Sequence, residues 1–285
     1  MSGPISATGP CTSRHNPLNR RSFAVTRRSF LVAIVSALAW TVGATEARAD
    51  ELRILSAVGM RQVLVELADQ FERATGHRLL ITFDSGAMIV RRVERGESAD
   101  VLLLPHHAAQ QLALARKAVV SPLASSRVGL AVRAGATRPD ISSPEALKQA
   151  LLMARTIARP DPAQGGSSGL HIQEVLERLG IADVVAAKTI LSSRPDREDE
   201  MPANRVARGD AEIALHQIQE LRAVPGVTVV GPFPGDLDGR FLFSAILISE
   251  TARQKAGQQL IAFLMAPGAK AVMKNKGMEP FSAAR

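Results

Sequence analysis

Cysteine and the large aromatics are nearly missing from this chain. Of 285 residues one is cysteine (Cys11), one is tryptophan (Trp40) and none is tyrosine. Both single residues sit in the N-terminal leader described below, so the remainder can form no disulfide, no thiolate metal site and no cysteine nucleophile. It must stand on its hydrophobic core alone. Long apolar runs are missing too: the most apolar stretch, ending at Ala44, is shorter than the roughly 20 residues a spanning helix needs. No long run of Lys and Arg follows residue 49, so no nucleic-acid footprint is expected. Beyond the leader there is neither an internal repeat nor a low-complexity tract. P-loop, paired-cysteine zinc and His-Glu-x-x-His patterns do not occur. Neither a cofactor nor a metal site is therefore expected.

The leader is the first thing the sequence does contain. A polar, basic stretch runs to Arg27-Arg28, an apolar run follows, and Ala47-Arg48-Ala49 is a small-x-small tripeptide of the kind signal peptidase cuts. That order reads as an export signal over 1–49, outside the fold and not a retained anchor. Thr26-Arg27-Arg28-Ser29-Phe30-Leu31 fits the twin-arginine pattern, an address read by a receptor. A periplasmic location follows as an expectation. The formal charge of +8 belongs largely to this leader, where Arg14, Arg20, Arg21, Arg27, Arg28 and Arg48 stand against Glu46. The remainder is only weakly basic, and the whole-chain pI says little about partners.

After the leader, short apolar runs alternate with helical periodicity. Leu52–Ser56 reads as a strand, and Val63, Leu64, Leu67, Ala68 and Phe71 recur at three- and four-residue spacing before Gly76. Leu79–Phe83 predicts a second strand, Met88–Arg95 a helix and Val101–Leu104 a third strand. Further strands are read at Gly129–Arg133, Thr156–Arg159, Thr189–Leu191, Ile213–Leu215, Val227–Val230 and Phe241–Ile248. Ser143 before Pro144 predicts a capped helix through Ala154. Helices are also read over Ser168–Leu179, Ala252–Leu264 and Gly268–Asn275. The alternation indicates an α/β fold with parallel pairing.

In open α/β sheets ligands bind beyond the carboxyl ends of strands, where loops lead into helix N-termini. Junctions rich in small residues fall at such places: Ser56-Ala57-Val58-Gly59, Asp84-Ser85-Gly86-Ala87 and Gly165-Gly166-Ser167-Ser168-Gly169, with His216-Gln217 closing a short strand. Small residues let backbone N–H groups approach a ligand, and helix N-termini favour negative charge. A small anion could be held there by neutral donors alone. Any one such turn is more often only a turn, but several at equivalent strand ends make a site. The candidate binding residues are Ser56, Gly59, Met60, Arg61, Ser85, Gly86, Ser167, Ser168, Gly169, His216 and Gln217. His216 reads equally as a ligand contact or a satisfied polar residue. Asp84 is expected to cap the following helix, Arg61 either to reach a ligand carboxylate or to be solvated as most helix arginines are, and His106-His107 to form a solvated loop.

On these residues the chain resembles the periplasmic molybdate-binding type of ABC-transporter solute-binding proteins. The likeness rests on Leu52–Gly59, Phe71–Gly76, Thr82–Ser85, Gly96–Val101, Asp161-Pro162, Leu176–Gly180, and Gly226–Pro234 followed by Phe241–Ile248. It implies a two-lobed periplasmic binding protein type II fold with hinge strands between the lobes. Lobe one would be 50–127 plus 237–285 and lobe two 128–236, with the ligand in the interlobe cleft. The family's anion contacts carry over to Gly59, Ser85, Ser168 and His216. The chain departs from the pattern where Gly59 replaces a serine, where Ser85-Gly86-Ala87 thins a serine cluster, and where His216 takes a tyrosine position.

The chain is also similar to aconitate isomerases, through Leu55-Ser56, Ala74–Gly76, Gly135-Ala136, Pro139–Ser142 and Leu221–Gly226. The resemblances imply a monomeric receptor that hands a small anion, either a molybdate-like oxyanion or a di- or tricarboxylate, to an ABC permease. The alternative is an isomerase needing a base such as His216 or Asp84 within reach of an acidic C–H.

Overall fold

In the computed structural model, which describes residues 49–194 and 197–282, β1 (Glu51–Ala57) lies between β2 (Arg78–Asp84) and β3 (Val101–Pro105), parallel to both. The expected export signal, with Cys11 and Trp40, lies outside the described residues. Helix α1 (Arg61–Thr75) buries Val63, Leu64, Leu67 and Phe71, the stripe predicted from their spacing. Gly76 ends it at φ 75°, a left-handed cap open to a residue without Cβ. Helix α2 (Gly86–Glu94) and helix α3 (His106–Arg116) follow β2 and β3.

The expected parallel order holds again for β5 (Ile157–Pro160) between β6 (Thr189–Ser192) and β7 (Ile213–Gln217). It fails in the middle. Strand β4 (Val120–Arg133) and strand β9 (Arg240–Leu247) pair antiparallel, and β9 is antiparallel to β3 as well. The sheet order is β2-β1-β3-β9-β4-β7-β5-β6, and β8 (Val227–Pro232) and β10 (Glu279–Pro280) also pair with β4. β4 is far longer than the segment Gly129–Arg133 read from sequence. Its first part pairs with β9 from Val120↔Ile246 to Arg127↔Arg240, and its second with β7 from Val128↔Gln217 onward. A proline and three serines in the first part hid the strand; Pro122 sits beside a register shift, where a missing N–H is tolerated.

Distinct cores flank this change of partner. Leu52, Phe71, Leu103, Phe243 and Leu260 belong to one; Leu130, Leu147, Ile172, Leu215 and Phe233 belong to another. Helix α4 (Pro144–Met153) and helix α5 (Ser167–Arg178) cover the second, while helix α9 (Gln254–Met265) and helix α10 (Pro267–Asn275) return to the first. The fold is thus the two-lobed α/β architecture with a strand crossing between lobes. The short helices α6 (Ala182–Ala186), α7 (Pro202–Arg208) and α8 (Ile218–Arg222) were not read from the sequence. Each is too short for a 3.6-residue period to register.

Local expectations are corrected at β2 and β3. His106-His107 opens α3 and is not a solvated loop; His106 Nδ1 lies 2.8 Å from Ser244 Oγ on β9. The cap of α2 is Ser85, whose Oγ accepts from the Met88 N–H at 3.2 Å. Asp84 instead accepts from the Ser85 N–H (2.8 Å) and pairs with Arg92 at 3.3 Å. Arg61 is not a free solvated cation: its guanidinium stands 4.6 Å above the Phe83 ring.

Candidate functional site

A cavity of ≈ 70 Å³ lies beyond the carboxyl ends of β1, β2, β3, β5, β6 and β7. Ala57, Val58 and Gly59 line it from the first junction, Ser85, Gly86 and Pro105 from the next two. Across from them stand Pro160, Asp161, Gln164, Gly166, Ser167, Ser168, Ser192, Met201, His216 and Gln217, with Phe243 reaching in from β9. At about 10–15 Å³ per water, this holds a handful of non-hydrogen atoms.

Of the residues named from sequence, Gly59, Ser85, Gly86, Ser167, Ser168, His216 and Gln217 line the cavity. Ser56, Met60, Arg61 and Gly169 stand off its wall. Ser56 is fully buried with its hydroxyl on the Ala57 carbonyl at 3.1 Å, and Met60 is packed in the first core. Arg61 is over Phe83. Gly169 lets α5 approach the Asp161-Pro162 backbone, since a Cβ would lie 3.2 Å from the Asp161 carbonyl oxygen.

Helix N-termini supply donors. The turn Val58–Met60 leads into α1, and its preceding residue makes no side-chain cap. α5 starts from Gly166, also without a capping side chain, so its first N–H groups lack an intrahelical partner and face the cavity side. Ser85 caps α2 with a lone pair, which leaves its O–H free to donate.

Among the described residues no Lys or Arg lines this cavity, and Asp161 is the one charged lining residue. That carboxylate is fully engaged. It accepts from Ser193 Oγ (2.8 Å), the Ala163 N–H (2.9 Å) and Gln164 Nε2 (3.3 Å). The Ser193 bond is the first reason its pKa lies below the ordinary carboxylate value. Arg159 is buried behind it, two residues earlier on β5. Its Nη2 donates to Gln173 Oε1 at 2.8 Å, while Nε and Nη1 have no hydrogen-bond partner among the described residues. Burial lowers its pKa, although Asp161 acts in the other direction.

His216 is fixed in one tautomer. Its Nδ1 accepts the Gln217 backbone N–H at 2.8 Å, so the ring proton is on Nε2. Burial pushes the imidazole pKa down to about 4. At neutral pH the side chain is an uncharged N–H donor and has no free lone pair for a proton.

The absent side chain of Gly59 is explained by what occupies its place. A Cβ there would lie 2.6 Å from Phe243 Cζ and 2.9 Å from Gln217 Oε1. Gln219, completely buried, donates from Nε2 to the Gly59 carbonyl (2.9 Å) and to Gln217 Oε1 (2.7 Å), and its Oε1 accepts from Ser126 Oγ on β4. Between the lining residues Gln164 and Gly166, Gly165 has φ +68°, and a Cβ there would meet the Ala87 methyl at 3.1 Å.

Sequence reasoning missed Phe243, Gln219, Met201 and Ser192. Each is an ordinary residue in an apolar or irregular stretch, with no motif to mark it. Pro160 and Asp161 adjoin a quoted junction and could have been found by extending it.

Residues 52–279 match the family described as bacterial extracellular solute-binding proteins. The chain is 31% identical over 245 residues to an aconitate isomerase from a Pseudomonas species, covering 81% of this chain and 88% of that protein. It is 23% identical over 249 residues to the molybdate-binding protein ModA of Escherichia coli (strain K12), covering 85% and 94%. Among solved structures, the periplasmic molybdate-binding protein of Azotobacter vinelandii superposes with a TM-score of 0.65 at 19% identity, covering 82% of this chain and all of that one.

Proposed function

The chain belongs to the family of bacterial extracellular solute-binding proteins, and on that premise we propose that it is the periplasmic receptor of an ABC importer, closing two lobes on a small anion. The observation that carries this reading is a cavity edged by uncapped helix N-termini and neutral donors, with the hydrogen-bonded Asp161 as its charged residue and no basic side chain in its wall among the described residues. Such a wall suits an anion held by hydrogen bonds, because orphan N–H groups and the helix dipole favour negative charge without a counter-ion. Gly59, Ser85, Gly86, Ser167, Ser168, His216 and Gln217 are the proposed contacts. Ser56, Met60, Arg61 and Gly169 shape the wall from behind. The lobes are 50–127 plus 237–285 and 128–236. The leader 1–49 directs export, and the receptor works as a monomer that docks on its permease.

Within this reading the carbon-lined walls favour an organic di- or tricarboxylate over a molybdate-like oxyanion, and a ligand of that size, with more atoms than ≈ 70 Å³ admits, requires the lobes to stand further apart than they do here. Phe243 fills the space a serine at position 59 would need, and Pro105, Pro160 and Met201 add further carbon surface. A bare tetrahedral oxyanion gains nothing from such walls, whereas a carbon skeleton does.

An isomerase acting on an unsaturated tricarboxylate is the second reading, favoured by the 31% identity to an aconitate isomerase. Proton transfer at carbon needs a free base. His216 keeps its proton on Nε2, Asp84 is paired with Arg92 and does not line the cavity, and Asp161 accepts several hydrogen bonds, so none of these groups is poised for that work. A thermal-shift screen against molybdate, tungstate, sulfate, citrate and both aconitates tests these readings together. Ligand at 100 times its Kd adds about 2.7 kcal/mol. Stabilisation by molybdate or tungstate alone overturns the carboxylate assignment; turnover of cis- to trans-aconitate by chromatography overturns the receptor in favour of the enzyme.

A further inference from the structure

Gln219 does not line the cavity, yet it hydrogen-bonds to two residues that do, Gly59 and Gln217. It is completely buried on α8, and its amide is satisfied on both ends. The Gly59 oxygen is a main-chain carbonyl and can only accept, so the Gln219 atom facing it is Nε2. The same nitrogen then donates to Gln217, which makes the Gln217 atom an oxygen. The Gln217 amide is thereby turned, with Oε1 inward and its NH₂ left for the cavity.

We infer that Gln219 is the positioning residue of the site: it turns the Gln217 amide so that a bound anion meets N–H instead of C=O, and it ties that donor to the first junction and to the crossing strand β4. This rests on the receptor reading above. The geometry makes the role specific to an amide. Leucine at 219 has no donor and releases Gln217. A carboxylate at 219 offers only acceptors to the Gly59 carbonyl and obliges Gln217 to donate inward, presenting Oε1 to the anion. An unsatisfied or misdirected buried polar group is expensive, so the amide will follow its partner.

Ligand binding and side-chain amide exchange in the full chain test the assignment. In the ligand-free protein, nitrogen-15 spectra should show slowly exchanging Gln219 side-chain protons, held by Gly59 and Gln217, beside faster Gln217 protons. Rapid exchange of the Gln219 pair overturns the assignment whether or not any anion binds. In calorimetry with citrate and trans-aconitate, Gln219→Leu and Gln219→Glu should weaken binding about ten- to a hundredfold at neutral pH. The Gln219→Glu loss should shrink as acid protonates the new carboxyl and restores a donor. Unchanged affinity in both variants, or a Gln219→Glu deficit indifferent to pH, overturns the assignment. Should Gln219→Leu fail to fold, the acid recovery of Gln219→Glu decides. If the wild-type chain binds neither these anions nor molybdate, the receptor reading fails, while the exchange measurement still judges Gln219.

Discussion

His216 Nδ1 accepts a hydrogen bond from the backbone N–H of Gln217, its neighbour in the chain, at 2.8 Å. This one contact turns the imidazole into a donor through Nε2 at the end of β7 and removes it as a base. It also joins adjacent cavity residues in one rigid unit.

The buried His216 ties stability to pH. Its folded pKa of about 4 lies below the ordinary value of 6.5, so the unfolded chain binds more protons between those values. The contribution is fully present above about pH 6.5 and is lost as pH falls toward 4, amounting to about 3 kcal/mol at one pKa unit per 1.36 kcal/mol. Thermal unfolding across this range should show a falling Tm, and His216→Gln should flatten the slope. A Tm equally acid-sensitive in the variant would show that another group is responsible.

Gly59→Ser should destabilise the chain by about 1–3 kcal/mol, because an added Cβ overpacks against Phe243. Gly59→Ser with Phe243→Leu should recover much of that loss and raise affinity for molybdate relative to citrate. Denaturant unfolding and competition binding read the two effects.

Gly165, between the lining residues Gln164 and Gly166, is in a left-handed conformation against Ala87. Gly165→Val adds backbone strain of about 1–2 kcal/mol and a clash with Ala87. The expected result is faster ligand release with an on-rate changed little, measured by stopped-flow fluorescence of an added reporter. Gly166→Val, where no neighbour lies within 4 Å, should release ligand more slowly than the Gly165 variant.

Arg159 is a buried cation with Nε and Nη1 unpartnered among the described residues, and each such donor costs about 1–3 kcal/mol. Arg159→Met, which keeps the volume, should therefore raise Tm. Anion affinity should fall a few-fold at the same time, because the charge lies close enough to act on Asp161 in the cavity wall. Stability and binding moving together in one direction would contradict this.

Much of the site was readable from residues alone. Strand ends followed by Gly and Ser are local features, and the cavity wall does include the junctions at Gly59, Ser85, Ser167-Ser168 and His216-Gln217. Ser56, Met60, Arg61 and Gly169, named with them as candidate contacts, do not line the cavity, because the sequence does not reveal which way a residue beside a strand end faces. Phe243 looked like any apolar residue of a buried strand, and the Gln219 signal is nil: a single glutamine on a five-residue helix.

Neighbouring residues alone specify the parallel units around β1 and β5, the amphipathic helices, and the small residues at the strand ends that border the cavity. These depend on periodicity and on missing Cβ atoms, which are properties of neighbours in the chain. Long-range packing makes β4 run unbroken between the two cores, puts a phenyl ring in the place of the Gly59 side chain, and joins the buried Gln219 amide to Gln217. Those outcomes depend on contacts between residues far apart in sequence, where hydrogen-bond partners and free volume are set by packing and leave no local trace.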